Sequence, residues 1–307
     1  MSEVLTRVLP FFLLIAVGAA TARARLLDAQ ASRGLSIYVL WIGFPALLIR
    51  SLGTAPPPDP AMARGLVAYG LSAVALLFAA LAVGRLLQWP RGDRAGASMA
   101  GVVGNTAFLG APLAVSVFGP TAGGIAAGVV AVDFVVLMAF AIAVMQGATG
   151  SGSVLLALRR TLLNPVVAAA LIGAALSFAR WGPPELVART LDLLAATASP
   201  VGLVALGAVI GLEAGRPAPG EAGPIAFALL LKLAIMPAVV GMAVGLAGAS
   251  PGFRRVAVLL AACPTAVNVF IQARAFEIFG RGAAQVVVAG TVVSAATLPL
   301  LAAWLSE

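Results

Sequence analysis

Two stretches of this 307-residue chain place polar and helix-breaking residues inside apolar surroundings. The first, GNTAFLGAPL at Gly104 to Leu113, sets Asn105 and Thr106 among Gly104, Gly110 and Pro112. The second, CPTAVNVFIQAR at Cys263 to Arg274, follows Pro264 with Thr265, Asn268 and Gln272. Proline lacks a backbone donor and collides with the preceding turn, and glycine weakens helix, so neither stretch is expected to stay regular. At membrane depth such breaks persist only where the freed backbone groups face protein or a watery cavity. Each half-helix N-terminus carries roughly half a positive charge, so two of them together would hold a carboxylate without a buried cation. Asn105, Thr106, Thr265, Asn268 and Gln272 are therefore the candidate substrate-binding residues, and Gly104, Gly110, Pro112 and Pro264 mark the breaks. Small residues can also serve simply to bring helices close together. Matching breaks in both halves of the chain favour a binding site.

Asp133 is the one charge between Arg94 and Arg159, in a stretch where burying a carboxylate in lipid costs at least about 2.5 kcal/mol. It is the candidate for coupling or gating, with a structural hydrogen bond as the plainer alternative. Asp133 with oxygens of Asn105, Thr265 and Asn268 could instead coordinate Na⁺, the one metal reading the residues allow. Lys232, Arg274 and Glu277 are read as side chains that pair or reach the headgroups. Pro10, Pro45, Pro165, Pro200 and Pro237 are expected to kink helices.

The elements that must position these residues follow from composition. The chain is 62% hydrophobic and 10% charged, with a mean hydropathy of +1.08, far more apolar than a soluble core can hide. Apolar runs of about 20 residues cross a bilayer as helices. Charges and Gly/Pro punctuation divide the chain into ten spans near 4–22, 34–52, 65–88, 95–118, 121–145, 162–180, 190–212, 224–248, 254–279 and 282–305. The expected fold is an all-α polytopic membrane protein. A net charge of +8 suggests nucleic acid until the arginines are placed, mostly in short connectors, where topology explains them and no nucleic-acid partner is needed.

The connector GATGSGS at 147–153 splits the chain almost in half, giving a first repeat at 1–146, a cytoplasmic connector at 147–160 and a second repeat at 161–307. FGPTAGGIAAGVVAVD from Phe118 aligns with FGRGAAQVVVAGTVVS from Phe279, which pairs Asp133 with Ser294. Five helices per repeat, an odd number, imply a 5+5 repeat of inverted topology with broken helices four and nine, as in secondary transporters. Arg23, Arg25, Arg33, Arg85, Arg91, Arg94, Arg159, Arg160, Arg216 and Arg281 gather on one side, which makes that side cytoplasmic and puts both termini outside; Arg254 and Arg255 run against this bias. No small-residue cleavage site follows the first apolar run, so that run is expected to be a retained helix. The chain has no histidine and one cysteine, Cys263, which leaves no Ser-His pair, metal cluster or disulfide framework, so neither an enzyme nor a cofactor is expected.

The ten spans, GNTAFLGAPL and CPTAVNVFIQA resemble the auxin efflux carrier family, which includes bacterial carboxylate permeases and plant PIN-type carriers. The resemblance covers essentially the whole chain and is sharpest at Asn105, Thr106, Gly110, Pro112 and Leu113. It implies a bile-acid-symporter or sodium-proton-antiporter-like fold. Helices four and nine would cross, Asn105 and Asn268 would face substrate, and a core bundle would move against a panel of spans one, two, six and seven. Plant carriers have Pro where this chain has Gly104 and a long loop where it has the connector around Gly147, so the chain resembles a bacterial inner-membrane member. A small organic anion is the expected substrate, a malonate- or malate-like mono- or dicarboxylate ahead of an auxin-like one. It would be moved by alternating access, with H⁺, Na⁺ or no coupling ion and with dimerisation implied by family alone. The alternative is a sodium- or proton-coupled antiporter or symporter of the same fold with a different substrate.

Overall fold

A computed structural model describes residues 2–150, 165–212 and 220–306 of the chain. Among the described residues every regular element is a helix. In chain order these are α1 (Ser2–Arg23), α2 (Ala29–Thr54), α3 (Pro60–Leu86), α4 (Arg91–Val102), α5 (Thr106–Phe118) and α6 (Ala122–Thr149). There follow α7 (Pro165–Ala179), α8 (Glu185–Leu212), α9 (Ala222–Leu246), α10 (Pro251–Ala261), α11 (Val267–Ala275) and α12 (Gly280–Ser306). Seven of them, α1, α2, α3, α6, α8, α9 and α12, are long and apolar enough to cross a membrane. The expected fourth and ninth spans are each two shorter helices, α4 with α5 and α10 with α11. Of the connector expected at 147–160, residues 151–160 lie outside the described residues.

Helix starts are written in short-range chemistry. Asp28 Oδ1 accepts from the Ala31 N–H at 2.7 Å and Asp59 Oδ1 from the Met62 N–H at 2.7 Å, while Ser250 Oγ accepts from the Phe253 N–H at 3.2 Å. Pro60 and Pro251 then take the first helical position, where a missing N–H is harmless. Interior prolines act differently. Pro45, Pro112 and Pro237 each lie two residues beyond a π-helical turn, at Val39–Gly43, Thr106–Gly110 and Leu231–Ile235. In each case the carbonyl four residues before the proline, which the ring would strike and leave without a donor, lies inside that widened turn. The expected kinks at Pro45 and Pro237 thus take the form of widened turns. A fourth π turn, Asp133–Leu137, has no proline and begins at Asp133 itself.

Packing sorts the helices into two groups. In one, α1 lies along α8, and α2 packs on both α7 and α8. In the other, α3, α4, α5, α6, α9, α10, α11 and α12 pack chiefly on one another. The α1–α8 contact is backbone on backbone: a Cβ at Gly18 would stand 2.1 Å from the Val204 carbonyl oxygen, and one at Gly207 1.9 Å from that of Ile15. With lipid tails as apolar as leucine, close approach through small residues is what holds membrane helices together. The outward face of α1 carries Leu5, Leu9, Leu13 and Val17, all exposed and four residues apart, a stripe suited to hydrocarbon.

Gly207→Ala forces α1 and α8 apart, an over-packing expected to cost about 1–3 kcal/mol. The thermal unfolding midpoint in detergent should fall by several degrees. Gly147→Ala, where nothing lies within 4 Å of the added carbon, should leave it unchanged or slightly raised.

Candidate functional site

The two breaks are joined to each other. Beyond Val102 the chain turns extended at Val103, and Gly104 pairs with Thr265 in an isolated antiparallel bridge. The Asn105 N–H donates to the Pro264 carbonyl at 2.7 Å, and the Ala266 N–H donates to the Val103 carbonyl at 3.1 Å. Proline at 264 supplies an acceptor where no donor is needed. Helices α4 and α10 end at this bridge, and α5 and α11 start from it. Two negative helix ends and two positive ones therefore meet at one place.

The orphan carbonyls closing α4 are satisfied from elsewhere in the chain. Thr265 Oγ1 donates to the Ala100 carbonyl at 2.7 Å, and Lys232 Nζ donates to the Val102 carbonyl at 3.4 Å. Lys232 is 1% exposed, so the expectation that it reaches the headgroups is overturned. Its position ten residues into α9 puts it about 15 Å from the helix start, too deep to reach water. Gly104 makes room for it, since a Cβ there would stand 2.7 Å from Nζ. Arg274 keeps the surface position expected of it, lying over the Phe270 ring at 5.7 Å, and Glu277 is likewise exposed.

Asp133 faces the other side of the same junction. Thr106 Oγ1 donates to its Oδ2 at 2.7 Å and Tyr69 Oη to its Oδ1 at 2.9 Å, which ties α5, α3 and α6 together. Lys232 and Asp133 are within electrostatic reach of each other, the cation at a helix C-terminus and the carboxylate near an N-terminus, as the helix dipoles favour. Three of the four π turns bring their residues here: Thr106, Asp133 and Lys232 each lie in one.

Asn105 stands apart. It is 1% exposed, and neither its amide nitrogen nor its amide oxygen has a partner. A buried polar group left unpaired costs about 1–3 kcal/mol, so the protein carries a donor and an acceptor without an internal use for them. Of the other predicted residues, Thr106, Thr265, Gly104 and Pro264 are gathered at the bridge. Gly110 lets α5 rest on the end of α10, where a Cβ would stand 3.0 Å from Cys263 Sγ and 3.1 Å from Leu260 Cγ. Asn268 and Gln272 follow on the first two turns of α11, both half-buried, with Asn268 Nδ2 4.0 Å from Met138 Sδ. Ser294, the residue aligned with Asp133, is buried and donates to the Thr291 carbonyl at 2.8 Å.

Two residues at the site went unread in the sequence. Tyr69 is one of two tyrosines in the chain, which was its only signal. Ser199 donates to the Phe108 carbonyl at 2.8 Å, the carbonyl that Pro112 leaves without a helical donor. Phe108 in turn lies against Gly202 and meets the Phe44 ring edge-on at 4.4 Å, so α5 is docked onto α8 and α2. Beside this contact a cavity of about 410 Å³ runs between the two helix groups, lined by Phe11, Ser51, Ala107, Pro112, Ala127 and Ser199 among others.

The model of a family described as "Membrane transport protein" matches residues 3–302. A protein of Rhizobium meliloti (strain 1021) named "Putative malonate transporter" is 32% identical over 310 residues, an alignment that spans 97% of this chain and 94% of the relative.

Because Asp133 and Lys232 are buried within electrostatic reach of each other, each held by hydrogen bonds to other groups, removing either charge leaves the other less balanced. Asp133→Asn and Lys232→Met are each expected to lower stability by about 1–3 kcal/mol, through buried hydrogen-bond partners left unsatisfied and an opposite charge left less balanced. The double variant should lose clearly less than the sum of the two in a detergent unfolding series.

Proposed function

The chain belongs to the membrane transport protein family, the auxin efflux carriers, and we propose that it is a secondary transporter that carries a small organic anion on the junction of its two broken helices. The protein is a multi-pass membrane protein of a transport family. The observation that carries the proposal is Asn105, buried with both amide atoms unpaired where helix N-termini converge. A carboxylate placed there accepts from the Asn105 amide nitrogen and from the free N–H groups opening α5 and α11, and the two positive helix ends balance its charge. Asn268 extends this surface along α11, and Gln272 follows one turn later. Thr106 and Thr265 take part through the bridge and through Asp133, since their hydroxyls are already committed. The malonate in the relative's name supports a malonate- or malate-like substrate over an auxin-like one.

In this reading α4–α5 and α10–α11 are the crossed fourth and ninth helices of a ten-span fold built from inverted five-helix repeats. The α1, α2, α7 and α8 group is the panel, and the remaining helices move against it. The cavity at the seam runs along α5 from the junction toward its C-terminal end, the end that Arg7 of α1 and Ser306 of α12 also reach. With the termini outside a bacterial inner membrane, as the arginine bias has it, the cavity is an outward vestibule. Alternating access would slide α5 along α8, exchanging the Ser199 and Phe108 contacts. Lys232 already provides a positive charge for Asp133, which favours a carrier that needs no Na⁺ to balance that carboxylate.

Counterflow in proteoliposomes tests this. Vesicles preloaded with unlabelled malonate should take up labelled malonate saturably, with and without sodium, and Asn105→Ala should abolish uptake while remaining monodisperse. Full counterflow in the Asn105→Ala protein would place the substrate elsewhere. Uptake that appears only with sodium would favour the cation-coupled alternative.

A further inference from the structure

An open cavity of about 940 Å³ lies away from the junction, in a slot between α9, α10 and the final turns of α12. Its character changes along its length. Arg254 and Arg255 stand at the mouth, in the first turn of α10, and Val258 and Ala262 continue the same face toward the membrane interior. Leu233 on α9 and Leu301 on α12 make the inner walls apolar. Trp304, 66% exposed, stands at the mouth end of α12, the level that tryptophan favours at a membrane interface.

The two arginines are not explained by the helix that carries them. Cations at a helix N-terminus oppose its dipole. Both side chains are exposed, and among the described residues neither has a carboxylate partner. They also run against the arginine bias of the rest of the chain. The slot is kept open by what α9 lacks: a Cβ at Gly245 would stand 3.7 Å from the Arg254 guanidinium, and one at Gly241 3.0 Å from Val258 Cγ2. A slot that is cationic at the membrane edge and apolar toward the middle, and that opens on the bilayer, complements a molecule with an anionic head and a hydrocarbon tail.

We propose that this slot binds one anionic phospholipid of the surrounding bilayer, with its phosphate on Arg254 and Arg255 and an acyl chain along Val258. The chain end would reach Ala262, which adjoins the Cys263-Pro264 break, so the lipid braces α10 against α9 and α12 directly behind the junction. This site is separate from the anion site above and stands whether or not that reading holds.

The test uses the full chain, purified in detergent and titrated with phosphatidylglycerol, phosphatidylcholine or glycerol 3-phosphate, with thermal midpoint and native mass spectrometry as readouts. Phosphatidylglycerol should raise the midpoint saturably by several degrees and be retained at one molecule per chain, with little effect from the other two. Arg254→Gln/Arg255→Gln should keep the lipid-free midpoint and lose the phosphatidylglycerol increment. Gly241→Leu should lose it too, with no change of charge. Equal stabilisation by phosphatidylcholine, an increment that survives the double substitution, or a shift reproduced by glycerol 3-phosphate alone would each overturn the proposal.

Discussion

The structure depends on two backbone hydrogen bonds that close a gap in each of two helices. Asn105 to Pro264 and Ala266 to Val103 replace the pairing that each broken helix gives up. Unpaired backbone groups are too costly inside a membrane to be left to chance, and neither break can be satisfied without the other. The pairing also fixes orientation, because two strands in an antiparallel bridge must arrive from opposite directions. Four helix ends then share one small volume, and the surrounding side chains answer to their partial charges. Lys232 and Thr265 close the negative end of α4. Thr106, at the positive end of α5, is held by Asp133.

Against that frame, Asn105 is the residue whose cost the fold does not recover. Every other buried polar group at the junction has been given a partner, often from a helix distant in sequence, such as Tyr69 for Asp133. An amide left without one supplies a neutral donor and acceptor to an incoming group. In the proposed reading, a pre-paired junction next to the Phe108 and Ser199 contacts lets a ligand be held while access to it changes. The two requirements are separable because Pro112 both widens the turn and frees the carbonyl that Ser199 takes.

Much of this was legible in the residues themselves. Long uncharged runs announce helices, and Gly104 and Pro264 stand at the two breaks, since these are consequences of local sterics; Gly110 and Pro112, also read as breaks, lie inside α5, where the chain widens into a π turn instead of breaking. Orientation of one break against the other was hinted at only by the likeness of the halves. What could not be read were the partners that folding brings from far away. Lys232 looked like a side chain free to reach the surface because its depth depends on where α9 begins and on the hole left by Gly104. That it is the only lysine among arginines was the available signal. The Thr265 hydroxyl donates to Ala100, a carbonyl 165 residues earlier, a partner that no spacing announces. Of the expected proline kinks, those at Pro45 and Pro237 take the form of π turns, whereas Pro10 and Pro200 lie inside unbroken α-helix and Pro165 opens α7.

The central claim is that an anion completes the unpaired Asn105 at the junction. Its most direct test is the thermal midpoint of the purified protein as malonate is titrated, for the native chain, Asn105→Ala and Ser294→Ala. The account predicts a saturable rise for the native chain and for Ser294→Ala, and none for Asn105→Ala. An equal rise in all three would contradict it.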